Sequence, residues 1–140
     1  MWLFYAFLSA FTAALVAIFG KIGLKDVDPT LATTVRSIIM AIFLVFVALS
    51  MKKFDGVTFS TFTGKEWLLI VLSGIAGALS WLFYFFALKS GDATQVVAID
   101  KLSIIFVIIL AVIFLGEALT WKVVVGGVLV VLGTILIVLK

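Results

Sequence analysis

The sequence predicts an all-α integral membrane protein with five transmembrane helices. Three observations carry this. Of the 140 residues, 66% are hydrophobic and 12% are charged, about half the charged share of a soluble domain. Mean hydropathy is +1.44. The apolar residues also fall into long uninterrupted runs of about 20, the length a helix needs to cross the hydrocarbon core. Such runs are too long for strands. Five of them fill the chain, which therefore reads as a single five-helix transmembrane domain over residues 1–140.

The first span covers about residues 2–22. No basic stretch precedes it, and it is longer than the apolar part of a secretory signal, so it reads as a span rather than a cleaved peptide. The second runs over about 29–51. Pro29 suits a first helical position, and Asp28 stands where a capping residue belongs. The third covers about 66–88, the fourth about 92–115 and the fifth about 119–139. Each is long enough to cross with some tilt.

The connections hold most of the charge. Lys21 to Asp28 joins the first two spans. Lys52 to Lys65 is the longest loop, and its Phe54, Val57, Phe59 and Phe62 suit the membrane interface. Lys89 to Gly91 and Gly116 to Thr120 are tight turns. Glu117 lies in the last of these, where a carboxylate stabilises the positive amino end of the fifth helix. Trp2, Trp67 and Trp121 stand at span ends on one side of the membrane, as an aromatic belt requires. Trp81 does not; helical rise puts it about 20 Å into the third span.

Small residues mark helix contacts in a membrane. Span one has a stripe of Ala6, Ala10 and Ala14. Span three has Ser73, Gly74, Gly77, Ala78 and Ser80. Span five has Gly126, Gly127 and Gly133 and almost no polar residue, so its glycines point to helix association rather than to a polar path.

Several functions are excluded. There is no cysteine and no histidine, so disulfides, thiol chemistry, the commonest general base and the commonest metal ligand are all missing. Asp100 is the single carboxylate deep in a span, and the glycine-rich stretches lie inside spans rather than in phosphate-cradling loops. An enzyme is not expected, nor is a metal or a cofactor. The net charge of +3 is scattered, without the basic block that nucleic acid requires.

Three ionisable groups interrupt the apolar spans. Arg36 lies about 10 Å into span two and Asp100 about 12 Å into span four, both measured from the same side. An ion pair between them is geometrically possible. Lys101 follows near mid-span, and adjacent helical residues point about 100° apart, so Asp100 and Lys101 cannot share one direction. Charges at such depth face a bundle interior or a water-filled cavity. A buried lysine can also lose its proton, which suits coupling or an anionic substrate. Ser103 shares the face of Asp100. Trp81, Tyr84 and Phe85 form a candidate aromatic wall.

Orientation is balanced. With five spans the termini lie on opposite sides. Lys52, Lys53, Lys65 and Lys122 flank the amino-terminal side; Lys21, Lys25, Lys89 and Lys140 flank the other. Cytoplasmic loops normally hold the excess of lysine and arginine. An even tally points to copies that insert both ways and pair antiparallel, producing by assembly the inverted repeat that many transporters encode in one chain.

The stretches Ala87-Leu88-Lys89-Ser90-Gly91-Asp92-Ala93, Ile99-Asp100-Lys101-Leu102-Ser103 and Leu115-Gly116-Glu117-Ala118-Leu119-Thr120 resemble the EamA family of the drug/metabolite transporter superfamily. The likeness is closest to its short five-span bacterial and archaeal branch. Leu72-Ser73-Gly74, Ser80-Trp81, Tyr84-Phe85 and Arg36 fit as well. The resemblance implies half of a ten-helix fold in the inner (cytoplasmic) membrane of a prokaryote. It also implies a secondary transporter, exporting or exchanging a small metabolite or drug-like molecule, as an antiparallel homodimer. A small dual-topology channel and an accessory membrane subunit are the other functions such a chain can serve. Related sequences often carry a proline just before the Asp-Lys pair. Here Ala98 stands there, so a straighter fourth helix is expected.

Overall fold

A computed structural model describes residues 1–57 and 61–139. Phe59 of the long loop and Lys140 of the charge tally lie outside the described residues. Every regular element among the described residues is a helix. Five stretches are long and apolar enough to span a membrane: Trp2–Gly23, Pro29–Ser50, Gly64–Ser90, Ala93–Leu115 and Trp121–Val138. Each expected span is therefore present, with its ends within two residues of those read from the sequence. We label the helices α1 (Trp2–Gly23), α2 (Pro29–Ser50), α3 (Gly64–Ser90), α4 (Ala93–Asp100), α5 (Ser103–Leu110) and α6 (Trp121–Val138). Between α5 and α6 lies a π-helical turn, Ala111–Leu115.

The helix starts follow local chemistry. Asp28 caps α2 by accepting from the Leu31 amide at 3.0 Å, with Pro29 in the first turn, as expected. Thr63 and Glu66 form a capping box at the start of α3. The Glu66 carboxylate accepts from the Thr63 amide at 2.7 Å, and the Glu66 amide donates to the Thr63 hydroxyl at 3.4 Å. Phe62 packs edge-on against Trp67 at 5.4 Å, the hydrophobic staple that accompanies such a box. Thr120 caps α6 by accepting from the Val123 amide at 3.4 Å. The side-chain cap at this end is thus a hydroxyl, while Glu117 engages through its backbone. Gly116 takes the left-handed conformation at φ 66°, and the Glu117 amide then reaches back to the Ala111 carbonyl at 3.2 Å. That bond is one residue longer than in an α-helical C-terminal motif, because the last turn is wound as π.

The chain forms two compact units, Met1–Ile22 with Ser90–Lys140, and Gly23–Lys89. In the first, α4 and α5 pack on α6. The two ends of the α4–α6 contact are tied in opposite directions. Gln95 on α4 donates to the Val138 carbonyl at 3.4 Å, and Thr134 on α6 donates to the Ala98 carbonyl at 3.1 Å. Further along, α6 meets α5 at Gly127, where an added Cβ would stand 3.2 Å from Ile105 Cδ1. Lys21 at the end of α1 donates to the Gly91 carbonyl at 2.8 Å.

In the second unit, Lys89 ties the end of α3 to the segment that leads into α2. Its ammonium donates to the carbonyls of Leu24, Lys25 and Val27 at 2.5, 2.9 and 3.0 Å. Leu24 and Leu88 beside it are fully buried. These carbonyls lie just past the end of α1, where backbone acceptors lack helical partners.

The fourth span, for which Ala98 in place of a proline predicts a straighter helix, does not run as one continuous α-helix. It is interrupted at Lys101 and Leu102, whose ψ values of −12° and −14° are those of a tightened turn. The Leu102 amide bonds to Ile99, the Ile104 amide to Lys101 and the Ile105 amide to Leu102, all three residues back. This is 3₁₀ rather than α spacing. A proline is not needed for the break.

Candidate functional site

Two polar centres sit inside apolar spans, one in each unit. The first is built on α2 and α3. Arg36 lays its guanidinium over the Trp81 ring, 3.8 Å from the centroid, with Phe85 at 5.5 Å. Trp81 meets Tyr84 at 5.5 Å and Phe85 at 6.1 Å, edge to face in both cases. The three aromatic rings therefore meet, because residues three and four apart share a helix face. An arginine is suited to this position. Its flat, weakly hydrated cation stacks on an indole and keeps its N–H edges in the plane of the group.

Next to these residues in sequence, the α2–α3 pair leaves an open groove of about 430 Å³. Thr30, Thr33, Thr34 and Ser37 line it from α2, and Ala78 and Leu82 from α3. Thr33, Thr34 and Ser37 each donate to the carbonyl four residues back, at 2.7, 2.8 and 2.8 Å. Their protons are used within the helix, so the groove is offered oxygen lone pairs.

The second centre is the interruption of the fourth span. Asp100 ends α4, Lys101 occupies the turn and Ser103 opens α5. Lys101 Nζ and Asp100 Oδ2 are 3.2 Å apart, and the two side chains are 53% and 39% exposed. This corrects the expectation that the two would point apart. The backbone step between them stays helical, and the flexible lysine stem folds its ammonium back on the preceding carboxylate. Arg36 and Asp100 belong to different units, and each has the partner its own unit provides.

Thr134 escaped the sequence reading, which treated the fifth span as nearly free of polar groups. It is buried, 6% exposed, and its bond to Ala98 lies two residues before Asp100. The signal was present: one hydroxyl in a stretch of 18 residues that is apolar apart from Lys122 at its start. Of the structural glycines, Gly127 is used within the chain, whereas an added Cβ at Gly126 or Gly133 meets nothing within 4 Å. Among the described residues, no three His, Cys, Asp or Glu side chains gather as a metal centre would need.

Five apolar spans, two of them carrying charged groups away from their ends, define a multi-pass membrane protein with polar centres inside the bilayer. The chain belongs to the EamA-like transporter family, whose model matches residues 1–139. It is also similar to a Sinorhizobium sp. protein described as an uncharacterized transporter in the cobO 3′ region. The two are 42% identical over 118 residues, covering 84% of this chain and 82% of that one. No solved structure matches the chain.

Proposed function

We propose that this chain is a secondary carrier of a small metabolite or drug-like molecule, exporting or exchanging it across the inner membrane of a prokaryote. Residues 1–140 act as one five-helix domain, and two copies pair antiparallel to complete the path. Arg36, Trp81, Tyr84, Asp100, Lys101 and Ser103 are its substrate-binding or coupling residues. Glu117 and the glycines of α6 are structural.

The observation that carries this reading is the interrupted fourth span. An interruption of an α-helix at membrane depth is tolerated where neighbouring helices and local 3₁₀ bonds satisfy the freed backbone groups. Broken helices are also where carriers place substrate and ion sites. Here the break coincides with an ionised pair that is half exposed in the single chain. Lipid is a poor environment for such a pair, and a hydrated path is a suitable one.

A thermal-shift screen of metabolites on purified protein identifies the substrate, and hits are then tested for flux in liposomes. Asp100→Asn and Lys101→Ala are expected to abolish saturable, exchange-stimulated flux while the protein remains folded and monodisperse. Wild-type transport by both variants overturns the site assignment. Unsaturable ion conductance replaces the carrier with a channel.

A further inference from the structure

We propose that Thr134 is a positioning residue that sets the orientation of the Asp100–Lys101 pair by holding the turn of the fourth span. The inference rests on the carrier reading for its functional meaning but is tested without a substrate. Its basis is a missing and a substituted hydrogen bond. In an unbroken α-helix the Ala98 carbonyl would accept from the Leu102 amide. Here that amide is drawn to Ile99 at 2.9 Å. The Ala98 carbonyl instead accepts from the Thr134 hydroxyl at 3.1 Å, in a contact where both residues are buried. A buried carbonyl in an apolar span needs a partner. Thr134 provides one, and so permits Leu102 to leave.

The consequence is geometric. A 3₁₀ step turns about 120° and rises ~2.0 Å, against about 100° and ~1.5 Å for an α step. Two such residues, Lys101 and Leu102, therefore rotate α5 against α4 by about 40° and lengthen the span by ~1 Å relative to a continuous helix. The helix α6 contacts both halves. It grips α4 through Thr134 and α5 through Gly127, where the approach to Ile105 is close. Thr134 thus chooses between two registers of one segment. With the hydroxyl on Ala98, the turn is tight and Ser103 at the head of α5 is held at its present rotation from the Asp100–Lys101 pair. Without it, Ala98 recovers Leu102, the span runs on as α-helix and Ser103 swings away from its present direction.

The test is oriented-bilayer solid-state NMR on the full chain, which reads the rotation of α4 and α5 separately from amide shifts and dipolar couplings. Thr134→Val keeps the side-chain shape and removes the donor. It is expected to change the rotation between the halves by about 40° and, with it, the Lys101 Nζ to Asp100 Cγ distance. Thr134→Ser restores the donor and is expected to return both to wild-type values. Thr134→Ala, which introduces no new bulk, gives the same readout as valine should that variant fold poorly. Unchanged rotation in both donor-free variants, or failure of serine to restore it, overturns the role of Thr134 and leaves the carrier reading standing. Rotation as expected, together with full transport by Asp100→Asn and Lys101→Ala, supports the positioning role and overturns the carrier site instead.

Discussion

Arg36 and Lys89 are both cations in helices that read as spans, and their surroundings set them apart. The Lys89 ammonium has three carbonyl partners at the end of its helix. Arg36 has aromatic faces, Trp81 at 3.8 Å and Phe85 at 5.5 Å. Hydrogen bonds to a charged group are worth about 1.5–3 kcal/mol each, and they leave orphaned acceptors when broken. Lys89→Met is therefore expected to destabilise the chain by about 2 kcal/mol in reversible unfolding in mixed micelles. A cation–π contact away from water offers about 2 kcal/mol, which does not offset the cost of holding a charge in an apolar span. Arg36→Met should consequently be at least as stable as wild type while losing transport. Replacing a buried charge by an apolar side chain of similar volume is often neutral or stabilising. A loss of stability in Arg36→Met as large as that in Lys89→Met would make Arg36 a structural clamp and remove it from the site.

At the scale of elements, α6 distinguishes two kinds of glycine. Gly127 faces Ile105 Cδ1 at 3.2 Å and Ile108 Cδ1 at 3.5 Å, whereas Gly126 faces nothing within 4 Å. Overpacking a tight contact costs about 1–3 kcal/mol. Gly127→Leu should lower unfolding stability by that amount in a monodisperse monomer, and Gly126→Leu should leave it unchanged. Equal losses would mean that α6 is rotated from the orientation described. The sequence gives no means of separating these two residues, since a small-residue stripe marks a contact but not its partner. Span limits were legible because apolar runs end at charges, prolines and caps; Asp28 with Pro29 marked its boundary correctly. The Thr63–Glu66 box was equally legible and places the start of α3 two residues earlier than hydropathy alone. The break at Lys101 was not legible. It arises from a tertiary hydrogen bond between Thr134 and Ala98, 36 residues apart in sequence, and no local propensity encodes it. Among the candidate site residues, Trp81, Tyr84 and Phe85 could be grouped from helical spacing. The Asp100–Lys101 contact could not, because it depends on how a flexible lysine stem folds rather than on helical spacing.

At the scale of the whole molecule, few of the described side chains are shielded within their own unit. Among the described residues the buried apolar ones are Ala17, Leu24, Phe85, Leu88, Val96, Ala98 and Ala111, while Phe43, Phe46 and Phe114 are 63–78% exposed. A bilayer accounts for most of that surface. Added Cβ atoms at Gly74, Gly77, Gly126 and Gly133 meet nothing within 4 Å, so these glycines make no close approach within their own units. A second copy in the opposite orientation is consistent with the four-to-four lysine tally, and the tally can be altered without touching the clamps. Lys21 and Lys89 are bonded to carbonyls, so the bias is best set elsewhere. Lys52→Ser with Lys53→Ser lightens the amino-terminal side to two lysines against four, and Lys25→Ser with Lys140→Ser lightens the other equally. The absence of cysteine allows a single introduced thiol at Asp55 to report sidedness with an impermeant reagent. Charge bias sets orientation, so each biased variant should label from one side only, and from opposite sides, where the wild type labels from both. Antiparallel pairing then requires that each variant alone be inactive in flux and that co-expression of the two restore transport. Wild-type flux from either variant alone would mean that copies of one orientation suffice, and the inverted pair would have to be abandoned.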